Sequence, residues 1–161
     1  MGKCGSRSHR EGPREVTAPA APQTAKPPSR VHVQWAGEQR FDAGRPNAPT
    51  ARIDGEGKTG QSPPEALLSA LASCVSIDVV AILAKRRTPV ESLDIDVVGE
   101  RVDTTPRRFK HITLNFRIAG KGIEKDQALR AIELSATKYC SVRDSLRSDI
   151  EIAWTLELSA G

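Results

Sequence analysis

Histidine, cysteine and aromatic residues are all scarce in this chain of 161 residues, which holds three His, three Cys, three Phe, two Trp and one Tyr. None of the histidines (His9, His32, His111) stands at metal-ligand spacing from another ligand, and no C-x-x-C occurs, so no metal centre is expected. A Ser/His/Asp hydrolase lacks its nucleophile-elbow sequence. Cys4, Cys74 and Cys140 are too few and too far apart for a disulfide scaffold; reduced thiols in a cytoplasmic setting are the expectation. Residues 1–30 contain no aromatic and no apolar h-region, so no secretory signal is read there.

An excess of base is missing where a nucleic-acid binder would need it. The net charge is +4, but residues 1–30 hold six Lys/Arg against two Glu and account for all of it. The remaining chain carries eighteen of each sign and is neutral, so no nucleic-acid surface is expected on the folded part. Five of the eleven prolines also lie in residues 1–30. A segment with so little to bury cannot offset its ordering entropy, so a disordered basic Pro/Ala-rich tail over 1–30 and one domain over 31–161 are expected.

What the chain does have is one long apolar run, Ser62–Pro89. Ser62, Pro63 and Glu65 form an S-x-x-E helix start, and Lys85, Arg86 and Arg87 suit the negative end of the helix. From Ala66 to Leu83 every face is apolar or small, and such a helix must be covered all round. About eighteen apolar residues reach only the lower limit for a membrane span. Asp78, Ser69, Ser73 and Ser76 lie inside the run, so no membrane span is expected. One small layer of sheet covers one side of a helix; the rest of the cover is predicted to come from a second copy, giving a homodimer.

Around this helix, alternation marks the strands. Val31, Val33 and Trp35 alternate with polar residues, followed by return strands over Gln39–Ala43 and Thr50–Asp54. The loop Gly55–Gly60 matches G-x-G-x-x-G, but no buried parallel strand precedes it and the acid at the right distance, Asp78, is inside the helix. It reads as a polar loop and not a dinucleotide site. Leu93–Val97 and Ile112–Ile118 form a hairpin, Ile123–Tyr139 an amphipathic helix, Ser141 starts a short helix to about Arg147, and Ile150–Leu158 is a last strand. The order predicts an α+β fold with antiparallel sheets packed around the long central helix.

Two thiols remain as candidates for chemistry. Cys140 lies at the entrance of a short helix near Lys138 and Arg143, all of which favour a thiolate. Cys74 sits mid-helix, where the dipole offers nothing, with Asp78 one turn on. By elementary physics Cys140 is the more acidic thiol of the two, and on sequence alone a cysteine in either setting is more often an inert buried residue than a nucleophile.

The segments SPPEALLSALASCVSIDVVAIL and ELSATKYCSVRDSL closely resemble the OsmC/Ohr family of osmotically inducible and organic hydroperoxide resistance proteins, in a less-studied branch. The resemblance spans about residues 31–158 and implies an intertwined homodimer, with two antiparallel sheets around long central helices. It further implies a thiol peroxidase acting in oxidative stress: Cys74 attacks an organic hydroperoxide, Cys140 resolves the sulfenic acid as a disulfide, and a dithiol or lipoyl protein restores both thiols. No cofactor is implied. The family's glutamate is matched most nearly by Glu65, one residue closer to Cys74 than in the better-known peroxidase branch. Its arginine is matched most nearly by Arg40, and Cys140-Ser141 replaces the usual Cys-Pro. The alternative implied by these departures is a dimer of the same fold that binds a small apolar ligand or senses redox state without turnover.

Overall fold

The computed structural model describes residues 26–159; the disordered tail expected over 1–30 therefore lies, up to residue 25, outside the described residues. The chain divides into Met1–Arg30 and Val31–Gly161, and every described helix and strand belongs to the second unit.

Three short strands come first: β1 (His32–Trp35), β2 (Arg40–Gly44) and β3 (Thr50–Asp54), paired antiparallel in the order β1-β2-β3. The β1–β2 turn passes through positive φ at Gly37 (92°) and Glu38 (53°), and only the first of these is free of steric cost. The face expected to be buried stands open. Val31, Val33 and Trp35 are 68%, 56% and 65% exposed, because this sheet extends from the rest of the chain with little behind it.

Asp54, at the end of β3, organises the glycine-rich loop. Its buried carboxylate accepts hydrogen bonds from the amides of Glu56 (2.9 Å), Lys58 (3.2 Å) and Thr59 (2.9 Å) and from the Thr59 hydroxyl (2.8 Å). A nucleotide phosphate would need those amides free. The loop instead binds its own aspartate, which is why the glycine pattern carries no phosphate site.

The same bonds, the Thr59 hydroxyl foremost and then the amides, hold the Asp54 carboxyl at a pKa of about 2, below its ordinary 3.8. Because the folded protein holds this proton less tightly than the unfolded chain, the stabilisation is fully present above the unfolded value near 4 and is lost as pH falls toward 2. The urea midpoint of the wild-type protein should therefore drop between pH 4 and pH 2 more steeply than that of Asp54→Asn. Parallel pH profiles for the two proteins would remove Asp54 from this role.

α1 (Pro63–Lys85) follows, and its start matches the sequence signal: the Ser62 amide and hydroxyl both donate to the Glu65 carboxylate at 2.7 Å. Its end also falls where expected, with Arg86 as C-cap and Arg87 in the left-handed region at φ 64°. β4 (Ser92–Arg101) and β5 (Phe109–Ala119) make the long antiparallel hairpin. α2 (Lys125–Leu134) then passes into a π-turn, Ser135–Tyr139, and a short α3 (Ser141–Asp144) leads to β6 (Glu151–Ser159).

The α+β class holds, with one departure from purely antiparallel sheets. β6 pairs with β5 in parallel, Ile112 opposite Ile152 and Phe116 opposite Leu156. The helical crossover between them returns the chain to the end where β5 began, so the next strand must run the same way.

β5 is the centre of the second sheet, in the order β4-β5-β6. Its inward row Ile112, Leu114, Phe116 and Ile118 is at most 1% exposed and packs with Val75, Val79 and Leu83 of α1 and with Ile132 of α2. α1 is long and apolar enough to cross a membrane by length and composition. It lies against a sheet with open edges, however, and hydrocarbon does not tolerate unpaired sheet edges. α1 is a core helix covered on one side. Its other side, including Ile77 (70% exposed) and Val80 (41%), stands open in the single chain.

Candidate functional site

Cys74 and Cys140, separated by 66 positions in sequence, lie beside each other in the fold. Cys74 follows the buried Leu71 and Ala72 and precedes the wholly buried Val75, which puts it at the margin of the covered face of α1, half-buried. Cys140 is brought to it by the π-turn, in which the Cys140 amide donates back five residues to the Ser135 carbonyl (2.9 Å). Ser135 is itself wholly buried, its hydroxyl donating to the Ala131 carbonyl at 2.7 Å. The wide turn ends the long helix early and leaves Cys140 extended (φ −71°, ψ 101°) against the core, 4% exposed.

The cap of α3 is this cysteine and not Ser141, as the sequence suggested. The Cys140 Sγ accepts from the Arg143 amide at 3.3 Å. That bond favours a thiolate, but it loses. Burial, and after it the side chain of Cys74, pushes the Cys140 thiol up to about 11. The helix entrance makes Cys140 look like the better nucleophile; its depth in the core removes that advantage. The basic side chains expected to help point elsewhere: Lys138 Nζ lies over the Tyr139 ring at 5.7 Å, and Arg143 Nη2 donates to the Ile150 carbonyl at 3.4 Å.

A difference in reactivity follows. With a pKa of about 11, roughly one Cys140 side chain in a thousand is ionised at pH 8, and the thiol is shielded besides. Iodoacetamide at pH 8, read by peptide mass spectrometry, should therefore label Cys74 well before Cys140. Equal rates at the two positions would contradict the burial argument.

A groove of about 690 Å³ runs across this segment, bounded by Lys138, Tyr139, Cys140, Arg143, Leu146 and Trp154. Glu65 and Arg40 are not drawn to the thiols within one chain. Glu65 is spent on its capping box, and nine residues of helix place it roughly 13 Å along the axis from Cys74. Arg40 stays in its own turn, with Nη2 3.1 Å from the Glu38 carboxylate and Nε 3.4 Å from the Gly37 carbonyl.

Residues 55–155 match the family model for OsmC-like protein, a segment that includes Glu65, Cys74 and Cys140 and begins after the first sheet. Protein YhfA of Escherichia coli (strain K12) is 34% identical over 132 residues, which cover 81% of this chain and 98% of that protein. This chain belongs to the OsmC-like family.

Among solved structures, a hypothetical protein from Aquifex aeolicus VF5 superposes with a TM-score of 0.71 at 26% identity, covering 83% of this chain and 99% of that one. The organic hydroperoxide resistance protein OhrB of Bacillus subtilis shares the fold at a TM-score of 0.54 and 14% identity, over 80% of this chain and 96% of that one. For this OsmC-like chain, the groove walls contributed by Tyr139 and Trp154 were not singled out as site residues from the sequence. Alternation along β6 shows that Trp154 shares a face with Ile152, but not that this face borders Cys140, because that depends on the parallel pairing with β5.

Proposed function

We propose that this OsmC-like protein is a thiol-dependent peroxidase acting on organic hydroperoxides in the cytoplasm, working as a homodimer. The observation that carries the reading is the adjacency of a half-buried Cys74 to a buried Cys140 whose thiol is held protonated. In the first step the Cys74 sulfur attacks the outer oxygen of the hydroperoxide. The O–O bond breaks, the alcohol leaves with the thiol's proton, and Cys74 becomes a sulfenic acid. In the second, the Cys140 sulfur displaces the sulfenic oxygen as water, and a Cys74–Cys140 disulfide forms. A dithiol, small or carried on a lipoyl protein, then takes up the disulfide's oxidation and returns both thiols.

The open faces of β1 and α1 support the dimer: Val33, Trp35 and Ile77 are all large apolar side chains and all more than half exposed. In this reading Glu65 and Arg40 complete the site only in the assembled dimer, since in one chain each is held by a partner of its own. That same engagement favours a second reading, a dimer that binds an apolar ligand or senses redox state without turning over. Intact mass measurement after one equivalent of cumene hydroperoxide tests the first against the binder. A loss of two hydrogen atoms, mapped to a Cys74–Cys140 disulfide, is expected, and unmodified thiols would end the peroxidase reading.

A further inference from the structure

A second groove, of about 460 Å³, lies at the tip of the β4–β5 hairpin and is independent of the thiol chemistry. Four guanidinium groups border it, from Arg101, Arg107, Arg108 and Arg147. Its floor is apolar, formed by Leu67 of α1, Phe109, Leu146 and Ile150. No acidic side chain lines it among the described residues.

The four arginines are not equally compensated. Asp149, just outside the groove, takes Arg147 in a two-pronged pair (2.9 and 3.0 Å) and Arg108 at 3.3 Å. Arg101 and Arg107 are steadied only by neutral groups. Arg101 Nε donates to the Arg107 carbonyl (2.5 Å) with its guanidinium 5.9 Å over the Phe109 ring, and Arg107 Nε donates to the Val102 carbonyl at 3.5 Å. Two cationic forks are thus pre-positioned beside an apolar floor, with no anionic partner among the described residues. Holding them there costs electrostatic repulsion that a bound anion would relieve.

We infer that this groove is a binding site for an organic carboxylate with an apolar body, its head on Arg101 and Arg107 and its chain along Leu67, Phe109 and Ile150. Guanidinium forks match the planar carboxylate, as Asp149 already shows with Arg147 at the groove's edge. The volume is in the range of small-molecule sites, roughly 300–1,000 Å³.

Octanoate, octyl phosphate and octylammonium, titrated into the reduced full-length protein and followed by ¹H–¹⁵N NMR, test this directly. Octanoate should shift amides of residues 101–109 and 145–150, weaken on raising the salt, and be at least tenfold weaker in Arg101→Gln and in Arg107→Gln. Arg107 is exposed, so its replacement leaves the core untouched, and each variant's unliganded spectrum reports its fold. Octylammonium should not bind. Equal binding of octylammonium, shifts confined to other residues, or affinities unchanged in a folded Arg107→Gln would overturn the site. Octyl phosphate binding tenfold tighter than octanoate would overturn its assignment to carboxylates. None of these ligands carries a peroxide bond, so the result stands or falls apart from the peroxidase reading.

Discussion

Replacing Cys74 with serine should abolish consumption of cumene or tert-butyl hydroperoxide in the presence of dithiothreitol, a loss of about 10³-fold or more, as expected when the attacking nucleophile is removed. The alcohol is far less nucleophilic toward an O–O bond than a thiolate, and among the described residues no other thiol is placed to take over. Cys140 is 4% exposed and its thiol is pushed up to about 11, so it presents neither access nor charge. Cys140→Ser should behave differently. It keeps the attacking thiol and should accumulate a Cys74 sulfenic acid, trappable with dimedone, while forming no intramolecular disulfide. Dithiothreitol can then attack the sulfenic acid itself, so residual turnover is expected in this variant and none in Cys74→Ser. Turnover unchanged in both variants would end the thiol reading. Loss only in Cys140→Ser would exchange the roles of the two cysteines.

Ile77→Arg should convert the protein from a dimer to a single chain of 17.4 kDa in light scattering. Ile77 is 70% exposed on the uncovered side of α1, so in one chain the arginine simply reaches water and the core of Val75, Val79 and Leu83 is untouched. At an interface between two helices the same group would be buried without a partner, a penalty of several kcal/mol. Since each 1.4 kcal/mol is tenfold, the dimer should weaken by at least about a hundredfold. Circular dichroism should show an unchanged helix and sheet content, which separates lost assembly from lost folding. Peroxide turnover should fall together with the mass if assembly completes the thiol site. A wild-type protein already monomeric at low micromolar concentration would refute the dimer outright, and an unchanged mass for Ile77→Arg would move the interface away from this face.

Much of what depends on neighbours along the chain was legible in its residues. The S-x-x-E pattern located the start of α1 to the residue, because Ser62 and Glu65 satisfy each other within one turn. Lys85–Arg87 located its end, and the alternation of Ile112, Leu114, Phe116 and Ile118 marked the inward row of β5. The two cysteine segments pointed to the OsmC/Ohr family, to which the chain belongs. What depends on distant segments became legible in the fold alone. That β6 runs parallel to β5 follows from where the crossover returns the chain, which no local period encodes. The open side of Val33 and Trp35 has the same alternation as a buried one, and only the position of the other elements tells them apart. The acidity of Cys140 departs from its local sequence signals for a related reason. The helix entrance beside it is local and visible in the sequence, whereas the packing that buries it beside Cys74 is not, and desolvation outweighs a single amide hydrogen bond.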